Sequence, residues 1–172
     1  MITKNIDVYC NKRTRVIFSM DIDINTSAIN GNAPIEILLA EDNLGDVFLA
    51  KKAFSNSKIK NNITVANDGE HLLSILNKAN KNDTKVPDLI LLDLNMPKVN
   101  GKQALAEIKK DDKLKKIPVI ILSSSKSEQD IAESYDLHAN SYLVKPINLE
   151  QYKNLVKSIE NFWLSTSVLP IQ

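Results

Sequence analysis

Short apolar runs alternate with longer segments of helical periodicity from residue 35 onward. Residues 35–40 form a mostly apolar run, and residues 44–57 then carry apolar side chains at helical spacing. The alternation continues through residues 63–66, 68–76, 89–92, 101–110, 118–122, 127–136, 140–144 and 148–164. Strands that alternate with helices pair in parallel through right-handed crossovers. The pattern therefore predicts an α/β fold with a doubly wound, five-stranded parallel sheet between layers of helices.

The N-terminal residues do not share this pattern. Residues 1–33 have no sustained period and are rich in Asn, Asp, Ser and Thr. They are predicted to form a mostly disordered N-terminal extension, followed by one domain over residues 34–172. An extra strand over residues 15–20 is the alternative, and Met20 could equally be the start of the chain.

Charge and cysteine content narrow the class of partner. The chain has 22 basic and 21 acidic residues, and 18 of each sign remain beyond residue 33. This balance gives no reason to expect binding to nucleic acid or to an anionic membrane. The single cysteine, Cys10, can form no intrachain disulfide, and no apolar stretch has the length that a bilayer requires. We therefore expect a cytoplasmic protein.

Charged and hydroxyl side chains follow four of the five predicted strands. Glu41 and Asp42 follow the first strand and Asp93 the central one, while Ser123 and Lys145 end the last two. The carboxyl ends of the strands form the ligand-binding edge of an open α/β sheet. A turn, a helix cap or a solvated loop would explain each residue alone. Their joint occurrence predicts a functional site.

The residue types at this edge favour phosphoryl chemistry. Three carboxylates repel each other unless a cation lies among them, and Mg²⁺ prefers such oxygen ligands. Lys145 supplies a positive charge for a phosphoryl oxygen, and Ser123 a hydrogen-bond donor. Asp93 ends the most buried strand, so it is the candidate nucleophile for an incoming phosphoryl group. Glu41 and Asp42 would then hold the metal. The glycine patterns of dinucleotide-binding loops and P-loops do not occur.

These motifs resemble those of the response-regulator receiver family. The resemblance covers residues 35–164 and implies a flavodoxin-like (β/α)5 receiver fold. The first acid is Glu where Asp is commoner, and the fourth strand ends in Ser where Thr is commoner. The matching segments are Glu41-Asp42, Leu91-Leu92-Asp93-Leu94-Asn95-Met96-Pro97 with Gly101, Ser123, and Tyr142-Leu143-Val144-Lys145-Pro146.

The resemblance implies a role for each residue at the acidic edge. Asp93 would accept a phosphoryl group from a sensor histidine kinase or a phosphotransfer protein. Asp42, Asp93 and the backbone carbonyl of Asn95 would contact Mg²⁺, with Glu41 acting through water. Lys145 would bind the phosphoryl group. The protein would be a phosphoryl acceptor rather than an enzyme, with at most self-dephosphorylation.

The resemblance also implies how the signal is used. Ser123 and Tyr142 would form a switch pair that responds to the phosphoryl group. Residues 41–47 and 162–170 further resemble small single-domain regulators that are paired with phytochrome-type histidine kinases. We expect no DNA-binding or catalytic output domain after residue 164, so the signal would pass by protein contact.

Two other functions remain open alongside this one. Haloacid-dehalogenase-like phosphatases also use an aspartyl nucleophile at a strand end, but they need a second acid two residues later, where this chain has Asn95. A receiver-like module that binds partners without phosphorylation is the other alternative, and a phosphorylation assay separates it.

The last predicted helix carries a longer apolar stripe than one sheet face needs. The stripe ends in Phe162, Trp163 and Leu164, and apolar residues recur in the tail that follows. Several exposed aromatic side chains at a chain end would form an unusually apolar patch. We therefore expect a symmetric homodimer through this helix, with a tail that folds back onto its own domain as the alternative.

Overall fold

The computed structural model describes residues 6–10, 14–18, 33–81 and 84–164. The chain divides into two compact units, residues 1–32 and residues 33–172. In the first unit, strands β1 (Ile6–Cys10) and β2 (Thr14–Phe18) form an antiparallel pair. Here the structure differs from the predicted disorder, because β-branched and aromatic residues on both sides of a short connection favour strands. The rest of residues 1–32 lies outside the described residues.

Strands and helices alternate throughout the second unit. Its elements are β3 (Ile35–Ala40), α1 (Leu44–Phe54), β4 (Asn61–Ala66), α2 (Gly69–Asn80), β5 (Leu89–Leu92), α3 (Gly101–Lys110), β6 (Val119–Ser123), α4 (Glu128–Asp136), β7 (Ser141–Val144) and α5 (Leu149–Ile159). A short 3-10 helix, Leu114–Lys116, precedes β6, and a π-helical turn, Glu160–Leu164, extends α5. The predicted sequence of strands and helices is confirmed, although α1 ends earlier and β4 begins earlier than predicted.

The sheet of the second unit has the order β4-β3-β5-β6-β7, and all of its strands are parallel. This order is that of the flavodoxin-like doubly wound fold, which confirms the predicted fold class. The order reverses between β3 and β5, where Ala40 pairs with Leu92. The Asp93 N–H donates to the Ala40 carbonyl at 3.0 Å, so Glu41 and Asp93 leave the sheet side by side.

Burial on both faces explains the apolar central strands. All four residues of β5 and all five residues of β6 are buried. One face packs against α2 and α3 through a cluster that includes Leu72, Leu76, Leu105 and Ile108. The other face packs against α1 and α5 through a cluster that includes Phe54, Tyr152, Val156 and Ile159. No helix in the described ranges is both long and apolar enough to cross a membrane.

Each of the five α-helices of the second unit begins at a polar side chain that caps it. The caps accept hydrogen bonds from backbone N–H groups of the first turn, which have no partner inside the helix. Ser127 caps α4, since its hydroxyl accepts from the Asp130 N–H at 3.4 Å. The five capping residues are Asn43, Asp68, Asn100, Ser127 and Asn148. The helices therefore start close to the strand ends that carry the polar residues.

Two glycines set the path of the loop between β5 and α3. A Cβ atom on Gly101 would lie 2.1 Å from the Asp93 carbonyl oxygen, and one on Gly69 would lie 2.1 Å from the Val99 carbonyl oxygen. Real Cβ contacts are never so short, so any side chain would displace the backbone. Lys98, in the same loop, adopts a left-handed conformation with φ of 63°. This loop is thus held close to the end of β5.

Candidate functional site

Three carboxylates meet at the carboxyl edge of the sheet, between β3 and β5. Oxygen atoms of Glu41, Asp42 and Asp93 lie within 4.8 Å of one another. Glu41 is 2% exposed and Asp93 is 3% exposed, whereas Asp42 is exposed to solvent. The pairing of β3 with β5 places the two buried acids on neighbouring strand ends. The site therefore opens to solvent on the side of Asp42.

A lysine from the end of β7 reaches into this acidic pocket. The Lys145 Nζ lies 2.7 Å from Glu41 Oε2 and 2.8 Å from Asp93 Oδ2, and its side chain is 10% exposed. A longer contact of 3.4 Å joins it to Asp46 Oδ2 on α1. The Lys145 N–H donates to the Ser123 carbonyl at 2.8 Å. The end of β6 thus fixes the backbone from which the lysine extends.

Burial and hydrogen bonding shift the pKa values of Glu41 and Lys145 in this pocket. Burial raises the pKa of the Glu41 carboxyl, and the hydrogen bond from Lys145 offsets this only in part. Burial works against the charged form of Lys145, but hydrogen bonds to Asp93 and Glu41 outweigh it and raise the pKa of the ammonium. Lys145 therefore stays charged at neutral pH. The ammonium contacts three carboxylates, and Asp42 lies beside two of them, so the pocket keeps excess negative charge.

The donor set suits a hard divalent cation. Asp93 Oδ2 contacts Lys145, but Asp93 Oδ1 is buried and accepts no hydrogen bond from the described residues. A buried carboxylate oxygen is costly without a partner. Asp42 offers a further carboxylate on the open side, and oxygen atoms are the ligands that Mg²⁺ prefers. Asn95 lies two residues beyond Asp93 in the β5–α3 loop and is exposed.

The hydroxyls of Ser123 and Tyr142 are connected through a third residue. Ser123 is fully buried, and its Oγ accepts from the Ser125 N–H at 3.2 Å. The Tyr142 hydroxyl donates to the Ser125 carbonyl at 3.1 Å. The sequence did not indicate a role for Ser125, because Ser125 contributes through its backbone amide and carbonyl, which other residue types have as well. The structure thus links the two residues through the backbone of the β6–α4 loop.

Two further residues at the site were not predicted from the sequence. Asp46 lies in the first turn of α1 and contacts Lys145. Its position four residues after Asp42 could have indicated it, since a helix that starts at a strand end turns its first residues toward that edge. Tyr152 belongs to the predicted apolar stripe of the last helix, yet burial and the nearby Asp46 and Glu41 raise the pKa of its hydroxyl. An apolar stripe alone does not reveal such a position.

Ion pairs tie neighbouring loops together around the pocket. Lys98 Nζ lies 2.7 Å from Asp68 Oδ2 and so joins the β5–α3 loop to the start of α2. Lys102 Nζ lies 2.6 Å from Asp130 Oδ1 and also contacts Glu133, which joins α3 to α4. Asp130 in turn accepts a hydrogen bond from the Ser125 hydroxyl. The loop that carries Ser125 is thereby held from two sides.

A flavodoxin-like sheet with acids and a lysine at its switch point defines the class of receiver domains. Comparison with known families agrees, because the model for the response regulator receiver domain matches residues 37–157. The chain belongs to the response-regulator receiver family and is a response regulator of two-component signal transduction.

Several relatives of known sequence or structure cover most of the chain. Response regulator Rcp1 of Synechocystis sp. is 41% identical over 140 residues, which are 81% of this chain and 95% of the relative. A second relative is RcpA, a cyanobacterial phytochrome response regulator whose phosphorylated form has a crystal structure. Its sequence is 46% identical, and its structure gives a TM-score of 0.76 over 81% of this chain and 100% of that one. The Mn²⁺-bound form of Rcp1 gives a TM-score of 0.73 at 41% identity, over 80% of this chain and 100% of that one.

We predict that Mg²⁺ raises the unfolding free energy of the protein and that Asp42→Asn reduces this gain. A ligand at a hundredfold excess over its dissociation constant stabilises the folded state by about 2.7 kcal/mol. Asp42 is exposed, so the variant should match the wild type without metal. Urea denaturation with and without Mg²⁺ measures both effects, with Asp136→Asn on the surface of α4 as the control. An equal gain in wild type and Asp42→Asn would contradict the proposed ligand set.

Proposed function

We propose that Asp93 accepts a phosphoryl group from a sensor histidine kinase or a phosphotransfer protein. The observation that carries this proposal is the contact of 2.8 Å between Lys145 Nζ and Asp93 Oδ2 inside the acidic pocket. A buried carboxylate with a bound ammonium has its nucleophilic oxygen fixed in place and a positive charge ready for phosphoryl oxygens. The exposure of Asp42 leaves room for a donor to approach.

The same residues would hold the divalent cation. Asp42, Asp93 and the backbone carbonyl of Asn95 are the proposed ligands of Mg²⁺, and Glu41 would act through water. When bound, the cation neutralises charge on the carboxylates and on the incoming phosphoryl oxygens. Two features support the proposal, the buried Asp93 Oδ1 without a hydrogen bond and the Mn²⁺ in the Rcp1 structure.

The upstream partner is proposed to be a phytochrome-type histidine kinase. RcpA, whose structure gives the TM-score of 0.76, is named a cyanobacterial phytochrome response regulator. Its similarity to this protein covers most of both chains. An ATP-dependent kinase of this type would act on the protein in the cytoplasm. The charge balance of residues 34–172 supports a protein partner rather than nucleic acid or a membrane surface.

Phosphatase activity toward other substrates is not supported by the residues around Asp93. An aspartyl-nucleophile phosphatase needs a general acid two residues after the nucleophile, and Asn95 stands at that position. Water at the open side of the pocket would still hydrolyse the phosphoaspartate. The proposed activity is therefore phosphoryl acceptance with at most self-dephosphorylation.

We expect Asp93→Asn to abolish phosphorylation while the fold stays intact. The substitution removes the nucleophile and one of the repelling charges, so stability without metal should remain level or rise slightly. Incubation with Mg²⁺ and acetyl phosphate, followed by peptide mass spectrometry, locates any phosphoryl group.

Asp112→Asn, an exposed surface acid, is the matched control and should be modified like the wild type. Full incorporation by Asp93→Asn, or modification mapped to another acid, would overturn the assignment. A wild type that takes up no phosphoryl group would favour a module that binds partners without phosphorylation.

We propose that Ser123 and Tyr142 carry the signal away from Asp93. Phosphorylation would draw the buried Ser123 hydroxyl toward the phosphoryl group. The hydroxyl would then move away from the Ser125 N–H, from which it now accepts a hydrogen bond. The shift of Ser125 would then disturb the hydrogen bond from Tyr142, on the β7 side of the domain. The support for this route is the chain of hydrogen bonds through Ser125.

Ser123→Ala should accept phosphate normally but respond less to it. Couplings of this kind are worth about 1–3 kcal/mol, so a phosphorylation-dependent change in partner binding or self-association should shrink by roughly fivefold or more. Ser124→Ala is the control, because Ser124 is exposed and adjacent. A response to acetyl phosphate as large as that of the wild type would count against the switch pair.

We also propose a symmetric homodimer through the end of α5. Phe162 is 55% exposed and packs edge-on against Trp163, with ring centroids 5.1 Å apart. Trp163 packs against the cluster beneath α1 and α5, so Phe162 is the aromatic ring left on the surface. The apolar tail that would complete the interface lies outside the described residues.

Sedimentation velocity should find that Phe162→Ser shifts the protein toward monomer. Loss of a large aromatic from the centre of an interface typically costs about 2 kcal/mol or more, which is roughly a thirtyfold weaker association. Phe48→Ser removes an even more exposed aromatic from α1 and should leave association unchanged. A wild type that stays monomeric at high concentration, with and without phosphodonor, would rule the homodimer out.

A further inference from the structure

Lys102 lies in the first turn of α3, where a helix disfavours a positive charge. The partial charge at a helix N-terminus is positive, so acids are stabilised there and cations are not. Each of the other four α-helices described in the second unit has an acid in its first turn, whereas α3 has none. The ammonium of Lys102 therefore depends on partners outside its own helix.

These partners are two acids of α4. Lys102 Nζ lies 2.6 Å from Asp130 Oδ1 and also contacts Glu133. The side chains of Lys102 and Asp130 are 28% and 29% exposed, so water screens their attraction only in part. Without the ammonium, the two acids would repel each other, because residues three apart on a helix are neighbours. We call Lys102, Asp130 and Glu133 the α3–α4 latch.

The second oxygen of Asp130 joins the latch to the proposed switch. Asp130 Oδ2 accepts a hydrogen bond from the Ser125 hydroxyl, while Oδ1 is bound by Lys102. The Ser125 N–H donates to Ser123 Oγ at 3.2 Å, and the Ser125 carbonyl accepts from the Tyr142 hydroxyl at 3.1 Å. A movement of Ser123 that carries Ser125 with it must therefore stretch or break a contact of Asp130.

The other end of the latch is fixed beside the phosphorylation site. Lys102 follows Gly101, where a Cβ atom would lie 2.1 Å from the Asp93 carbonyl oxygen. The Gly101 N–H also donates to the Leu94 carbonyl at 2.9 Å. The start of α3 is thus held against the end of β5 and has little space to follow the β6–α4 loop. The latch connects this fixed wall of the site to the loop that is proposed to move.

We propose that the α3–α4 latch holds Ser125, and through it Ser123, in the unphosphorylated arrangement, so that phosphorylation of Asp93 works against it. The inference rests on the phosphoryl-acceptor function and the switch proposed above. Lys102 is then a positioning residue that acts through Asp130 and sets how readily a phosphoryl group changes the domain. Because coupling between two sites is reciprocal, a weaker latch should allow tighter binding of a phosphoryl analogue at Asp93.

Lys102→Met tests the proposal because it removes the charge and keeps most of the side-chain length. Beryllofluoride is a phosphoryl analogue that binds a carboxylate without phosphoryl transfer, so calorimetric titration at saturating Mg²⁺ measures an equilibrium. We expect Lys102→Met to lower the dissociation constant of beryllofluoride by about twofold to fivefold, as loss of a partly exposed ion pair allows. Asp130→Asn should change it in the same direction. Lys116→Met, at an exposed lysine of the 3-10 helix, is the control and should match the wild type.

Ser125→Ala shows whether the latch acts through the β6–α4 loop. This variant removes the hydroxyl that binds Asp130 and keeps the backbone groups that contact Ser123 and Tyr142. In the Ser125→Ala background, Lys102→Met should change the dissociation constant by less than about 1.5-fold. A purely structural ion pair would lower the unfolding free energy in urea and leave the affinity for beryllofluoride unchanged.

Two results would overturn the inference while the proposed function stands. One is a dissociation constant in Lys102→Met that is equal to or higher than that of the wild type. The other is an effect of Lys102→Met that is as large in the Ser125→Ala background as in the wild type. A wild type that binds no beryllofluoride and takes up no phosphoryl group would overturn the proposed function itself, and the inference with it.

Discussion

The placement of one ammonium among buried carboxylates governs the organisation of this domain. Glu41 and Asp93 are almost completely buried, and each lies within 2.8 Å of Lys145 Nζ. Two buried acids on adjacent strand ends repel each other, so a positive charge between them is needed to stabilise the folded state. That charge comes from β7, two strands away from Asp93, and it holds the two sides of the crevice together. The same ammonium would serve both the folded state and the proposed phosphoryl chemistry.

Much of this arrangement could be predicted from the sequence because it follows from strand order. Apolar runs give the strands, and parallel strands bring their carboxyl ends to one edge. The acids after β3 and β5 and the lysine after β7 then converge, whatever the details of the loops. This reasoning locates Glu41, Asp93 and Lys145 but assigns no distances.

The parts that could not be predicted depend on backbone groups and on side chains with two possible roles. Ser125 joins Ser123 to Tyr142 through its amide and carbonyl, and these groups are the same in every residue type. Tyr152 lies on the apolar stripe of α5, where an aromatic residue normally means packing. The polar composition around Ile6–Cys10 and Thr14–Phe18 favoured disorder over strands, and a strand over residues 15–20 was predicted only as the alternative.

Residues without functional groups are as restricted in this domain as those with them. Gly101 lies so close to the Asp93 carbonyl, and Gly69 to the Val99 carbonyl, that neither position has space for a single methyl group. Selection for signalling would therefore preserve these two glycines for shape alone. In an alignment of descendants of this chain, these glycines would be as invariant as the acids. Invariance by itself would therefore not distinguish residues that react from residues that are needed only because they are small.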